Sequence, residues 1–141
     1  MIKPILTIVR GLPGSGKSAY ARKLAAETGA MLIEPDALLV RGGDYWYTLG
    51  RRKKARVRCL QMLMGAATMG ADVIYADVLS KVGTVKDLSQ LYAIDARGAK
   101  LRVIDMPLLT VDESMARNKH RVRREDIERM AREWEPWEGQ K

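Results

Sequence analysis

The spacing G-x-x-x-x-G-K-S, Gly11 to Ser18 within VRGLPGSGKSAY, constrains this chain more than any other feature. Gly11, Gly14 and Gly16, with Pro13 and Ser15 between them, let backbone N–H groups turn inward around phosphates, and the helix that follows points its positive end at the same place. Lys17 is placed to reach the terminal phosphates, and the Ser18 hydroxyl to coordinate Mg²⁺. Such a loop needs a strand before it and a helix after it. Ile2 to Val9 are short, apolar and β-branched, which reads as a buried parallel strand, and Lys17 to Thr28 read as a helix stopped at Gly29. The expected ligand is ATP, or another NTP or dNTP, with Mg²⁺.

The alternation continues along the chain. Met31 to Asp36, Ala71 to Asp77 and Leu101 to Met106 read as further strands, the last closed by Pro107. Between the second and third, Arg51 to Met69 carry Ala55, Cys59, Met62, Leu63 and Ala66 at helical spacing, with a basic stripe of Arg51, Lys54 and Arg58 opposite. Thr84 with Asp87 reads as the capping start of a helix running to about Arg97 and ended by Gly98, and Thr110 with Glu113 as the start of Val111 to about Asn118. A last helix is expected from Glu125 to Trp134, with Ile127, Met130 and Trp134 on one face. Strands alternating with helices predict an α/β fold with a parallel sheet of about four to five strands and helices on both faces. The whole, 1–141, is expected to form one P-loop domain with a C-terminal helical lid at about 110–134.

Charge and composition narrow the chemistry. With 25 Lys+Arg against 17 Asp+Glu the net charge is +8, which suits a polyanionic partner. One cysteine, Cys59, excludes an internal disulfide, and one histidine, His120, makes His-rich metal sites and a Ser-His-Asp triad poor readings. The start of the chain lacks a small-residue cleavage site, and no apolar run approaches membrane-spanning length. A cytoplasmic protein with no membrane association is therefore expected, in the host cytoplasm if phage-encoded.

In open parallel sheets the ligand lies beyond the carboxyl ends of the strands. Asp36 and Asp77 each follow a predicted strand, so both should line the edge that carries the glycine loop. Asp36 is the candidate general base for an acceptor hydroxyl, or the N-cap of the short run after it; Asp77 is the candidate holder of Mg²⁺ or its water. Arg117 and Arg121, four apart and so one helical turn, lead into the basic run KHRVRR and are candidate phosphate-neutralising groups of the lid. Arg41, Tyr45 and Trp46, beside Gly42-Gly43-Asp44, join Arg51, Lys54 and Arg58 as candidate contacts to an acceptor's backbone and bases. Trp134 and Trp137 read as core anchors or as an adenine platform. A guanine reader of the form Asn-Lys-x-Asp is missing, since Asn118-Lys119-His120 ends in Arg121. A small kinase fits the length better than a motor ATPase.

These residues resemble the kinase half of phage polynucleotide kinase and its single-domain phage relatives. The likeness rests on GLPGSGKS, on Asp36 and Asp77, on VIDM followed by Arg117 and Arg121, and on VRREDIERMAREWEP. It implies ATP-dependent phosphorylation of a hydroxyl on nucleic acid, with Asp36 as base and Arg121 on the phosphates. Two departures concern the acceptor: Leu39 stands where those enzymes grip its phosphate with Arg, and Asp77-Val78-Leu79 replaces Asp-Thr-Asn. The acceptor is then either a 5′-hydroxyl end or the hydroxymethyl group of a modified DNA base such as 5-hydroxymethyluracil, which related phage DNA kinases phosphorylate. A nucleoside or small-molecule kinase, and an ATP-binding switch or DNA-binding module that is no kinase, are the alternatives.

Overall fold

The computed structural model describes residues 3–41, 44–45 and 49–138, with backbone alone at 40, 41, 44, 45 and 49. Four parallel strands form the main sheet: β1 (Ile5–Arg10), β2 (Met31–Ile33), β5 (Val73–Asp77) and β6 (Lys100–Asp105), in the order β2-β5-β1-β6. A short antiparallel ribbon of β3 (Val40–Arg41) and β4 (Asp44–Tyr45) stands apart. The central strands β1 and β5 are the continuous apolar runs ILTIVR and VIYAD, buried on both faces as parallel strands under helices must be. Edge strand β6 exposes Lys100 and Arg102, charges that discourage pairing with another chain.

Helices cover both faces. On one, α2 (Leu49–Thr68) and α3 (Val82–Asp95) bury Cys59, Leu63, Val85, Leu88 and Tyr92 against Leu6, Ile8, Ile33 and Tyr75. On the other, α1 (Lys17–Thr28) packs Ala21 and Leu24 against Val9, Ile74 and Ala76. The predicted stripe on α2 is correct in Ala55, Cys59, Leu63 and Ala66, while Met62 is half-buried. Two short helices follow β6: α4 (Val111–Arg117) and α5 (Arg124–Glu133). Among the described residues no helix is long and apolar enough to cross a membrane.

Several boundaries depart from the sequence pattern, each for a physical reason. The first strand begins at Ile5 and runs through Arg10, one residue past the apolar run, because Arg10 pairs with Asp77 on one side and Asp105 on the other. The second ends at Ile33: Pro35 opens a 3₁₀ turn, Pro35–Leu39, in which Ala37 N–H donates to the Glu34 carbonyl. Thr84 does not cap α3. The helix starts two residues earlier, and its Val82 N–H donates to the Glu135 carboxylate at 3.0 Å, a cap brought from far along the chain. The Thr110–Glu113 capping box of α4 is present in both directions. The last helix stops at Glu133, leaving Trp134 outside it.

Candidate active site

The glycine loop takes its shape from two left-handed residues, Gly14 at φ 80° and Gly16 at φ 87°, which a side chain would strain. Ser15 N–H closes the loop onto the Leu12 carbonyl at 3.0 Å. Gly16 is the N-cap of α1, where no side chain caps the helix and no acid occupies the first turn. The amides at that end are left for an anion, and the helix dipole favours one. Ser15 Oγ is buried without a hydrogen-bond partner and folds against Gly11, where a Cβ would collide with it.

The segment expected as a lid lies directly on this loop. A Cβ on Gly14 would sit 2.6 Å from the Arg117 Cβ and 2.9 Å from its carbonyl carbon, so only glycine lets α4 approach so closely. Ser114, fully buried, donates its hydroxyl to the Pro13 carbonyl at 2.5 Å. Arg117 ends α4, but Arg121 is not one helical turn further on. Asn118 stops the helix: its Nδ2 donates to the Val122 carbonyl at 2.7 Å, and its Oδ1 accepts from His120 N–H. Arg121 therefore sits in the connecting loop at φ 54°, a left-handed strain for a residue with a side chain. Both arginines line one cleft of about 930 Å³ with Gly14, Lys17, Ser18 and Asp36.

Parallel register brings the two acids to that edge. Asp77 ends β5 and is 1% exposed; its Oδ1 accepts from Val78 N–H at 2.8 Å and from Arg52 Nη2 at 3.2 Å. Asp36, in the 3₁₀ turn, accepts from Arg52 Nη1 at 3.0 Å. One guanidinium thus spans both acids. Lys17 is 8% exposed, and burial holds its ammonium below the usual lysine range against the opposing pull of Asp77 and then Asp36. Burial, and next the nearby Asp77, push the Cys59 thiol up to about 11, which leaves it protonated and unreactive at neutral pH.

Asp77 Oδ2 is buried with no hydrogen-bond partner, and Arg56 stands 3.8 Å away, too far for one. An orphaned carboxylate oxygen at a strand end beside a glycine loop fits Mg²⁺ or its water. Among the described residues no cluster of three or more His, Cys, Asp or Glu could hold a metal by itself.

Arg51, Lys54 and Arg58 lie exposed on the outer face of α2, as their spacing predicts. Arg41 and Tyr45 fall on the ribbon, their side chains outside the described residues, and Trp46 lies outside them altogether. Arg52 and Arg56, from the same helix, line the cleft and were not singled out by the sequence pattern. Their four-residue spacing on a second stripe, beside the first, was the available signal.

Arg10 is a further unanticipated group. Wholly buried at the end of β1, it donates through Nε and Nη2 to both oxygens of Asp105 at 2.7 and 2.9 Å. Nη1 donates to the Leu79 carbonyl and Nη2 also to the Glu135 carbonyl, each at 2.7 Å, while the guanidinium stacks 4.5 Å from the Trp134 ring centre. It fastens the segment after α5 to the sheet and steadies Leu79, itself left-handed at φ 48°. Trp134 and Trp137 serve as anchors here, Trp137 packing on the larger core cluster.

Sheet order and glycine loop together define the P-loop class, with a kinase-like fold. Within that class, residues 6–137 match the AAA_33 family, described as an AAA domain, and the chain belongs to that family, which implies nucleotide binding. No curated protein matches the chain. Similar folds occur in the Pnkp1/Rnl/Hen1 RNA repair complex (22% identity, TM-score 0.70, covering 94% of this chain and 44% of that one) and in a gluconokinase from Sinorhizobium meliloti 1021 (18%, 0.62, 99% and 79%). Another is in the PezAT toxin-antitoxin system of Streptococcus pneumoniae (17%, 0.58, 74% and 47%). The chain spans less than half the length of the repair-complex chain that it resembles.

Proposed function

We propose that this protein is an ATP-dependent kinase that phosphorylates a hydroxyl carried by nucleic acid, DNA by preference, either a 5′ end or a hydroxymethylated base. The observation that carries the reading is the charge of α2, which holds six cations and no acid across LGRRKKARVRCLQMLMGAAT. Arg51 and Arg52 stand in its first turn, where the helix dipole repels cations. This arrangement costs the isolated helix stability, and a polyanion lying along the helix would offset that cost, beside the pairs that Arg52 and Arg56 make with Asp36 and Asp77. Arg52 and Arg56 line the cleft while Arg51, Lys54 and Arg58 face outward, so the same helix leads from the protein surface to the candidate base.

In this mechanism the loop amides, Lys17 and the two lid arginines, Arg117 and Arg121, bind the triphosphate and offset charge on the transferring group. Ser18 and Asp77 would hold Mg²⁺, which would supply further charge neutralisation on the phosphate oxygens. Asp36 takes the acceptor's proton as its oxygen attacks the γ-phosphorus and the bond to the β–γ bridging oxygen breaks. For an acceptor inside a duplex the base must leave the stack.

The test supplies γ-labelled ATP with oligonucleotides that have either a free 5′ end, or blocked ends and one hydroxymethylated base, followed by digestion to nucleosides. Label on one of the two is the expected result. Label on neither, with transfer to free nucleosides or sugars, would replace the nucleic-acid reading with a small-molecule one.

A further inference from the structure

The loop between α4 and α5 is built around a residue in an unfavourable backbone region. Arg121 has a φ of 54°, and among the described residues other than glycine only Leu79 shares that positive sign. A residue with a side chain populates this region about 5–30-fold less than its ordinary ones. The conformation has to be held from outside, and Asn118 holds it from both sides. Its Nδ2 donates to the Val122 carbonyl at 2.7 Å, while its Oδ1 accepts from His120 N–H at 3.1 Å. The chain is thus clasped just before and just after Arg121. One such hydrogen bond shifts a conformational balance by about 2–10-fold, so the pair is of the size needed to offset the left-handed penalty.

Asn118 is itself fixed relative to the glycine loop. It ends α4, whose start is held by the Thr110–Glu113 capping box and whose body is docked through the Ser114 hydroxyl and the close approach of Arg117 to Gly14. Arg121 lines the same cleft as Gly14 and Lys17. Turning its φ to an ordinary value would swing its Cα–Cβ bond, and with it the guanidinium, relative to that cleft. The clasp needs a donor and an acceptor on one short side chain, and a primary amide carries both. We infer that Asn118 is a positioning residue: it holds Arg121 in its left-handed turn so that the guanidinium meets the transferring phosphoryl group. The inference rests on the phosphate role proposed for Arg121 and holds for any acceptor. Without Asn118 the arginine is still present, but its preorganisation toward the developing charge is lost.

The experiment measures, by calorimetry in magnesium buffer, the affinity for ADP alone and for ADP with aluminium fluoride, a mimic of the transferring phosphoryl group. It compares wild type with Asn118→Ala, Arg121→Ala and Arg117→Ala, and with the double variants that join Asn118→Ala to each arginine change. Wild type should bind the mimic more tightly than ADP. Arg121→Ala should weaken the mimic about 10–100-fold, the range for one charge-assisted bond, and ADP by less than about threefold. Asn118→Ala should weaken the mimic about 5–30-fold and likewise spare ADP. On top of Arg121→Ala it should add less than about twofold, and on top of Arg117→Ala its full effect, a pattern that general loosening of the loop would not give. Unfolding midpoints check that the variants are folded. If Asn118→Ala binds the mimic as wild type does, or costs the same factor when Arg121 is absent, the inference is overturned while the role of Arg121 stands. If Arg121→Ala leaves the mimic's affinity unchanged, or wild type gains nothing over ADP, the phosphate role of Arg121 falls and the inference with it.

Discussion

Replacing Arg10 with methionine tests what holds the C-terminal segment to the sheet. Methionine nearly matches the length and can fill the site, so the change removes charge and hydrogen bonds with little cavity. It strips two bonds from Asp105, one from the Leu79 carbonyl and one from the Glu135 carbonyl, and the stacking on Trp134. The Asp105 side chain is 29% exposed, so water recovers part of its loss; the Leu79 carbonyl bond is buried. Against this, the variant no longer buries a guanidinium. Breaking a buried pair from one side costs about 3–5 kcal/mol net, the range expected here. At roughly 2–4 °C per kcal/mol for a domain of this size, the thermal midpoint should fall by about 10 °C. Urea unfolding with an unchanged slope would confirm a loss of stability rather than a change of end state. Arg10→Met combined with Asp105→Asn should regain about 1 kcal/mol by removing the stranded carboxylate. A loss below about 1 kcal/mol for Arg10→Met alone would mean that the guanidinium's burial cancels its bonds, and would refute the reasoning.

Asp36→Asn should abolish phosphoryl transfer and leave nucleotide affinity within about threefold, measured by transfer of label and by calorimetry; retained transfer would remove Asp36 as base. Gly14→Ala forces a left-handed alanine against Arg117, so it should cost about 1–2 kcal/mol in strain alone and weaken nucleotide binding by at least ~10-fold, read by denaturant midpoint and titration. Lys17 has its folded pKa lowered by burial, so between that value and the unfolded 10.5 the unfolded chain binds more protons, and this group's contribution to stability rises with pH across that window. Lys17→Met should accordingly raise the stability of the nucleotide-free protein, flatten the alkaline rise and abolish nucleotide binding. Neutralising Arg51, Lys54 and Arg58 together should lower the slope of log affinity for DNA against log salt by about 2–3, if each meets a phosphate.

The glycine loop, its flanking elements and the four parallel strands were legible because each is a local pattern. A run of β-branched residues ending at Gly11, or a helix closed by Gly29, needs no knowledge of distant chain. Asp36 and Asp77 were legible by position, since parallel strands deliver their ends to one edge. What escaped depends on residues far apart in sequence. Arg52 looks like any cation of a basic helix until the fold sets it between acids 16 and 25 residues away. The true start of α3 depends on Glu135, 53 residues on, which outcompetes the local signal at Thr84. Arg121 left its helical register because Asn118 found a partner in Val122, a side-chain bond that competes with the helix.

The Arg10 junction also has an order in time. Its partners Asp105 and Glu135 lie 95 and 125 residues downstream, and at about 5–20 residues per second a ribosome adds the later one roughly 6–25 s after Arg10 itself. Until Asp105 is made, the central strand ends in an unneutralised cation that resists burial, although its apolar residues are already made. The sheet can collect around β1, but its loop end cannot close until the last partners have been synthesised. A nascent chain arrested before Trp134 should therefore hold the glycine loop while the junction at the end of its strand is still open.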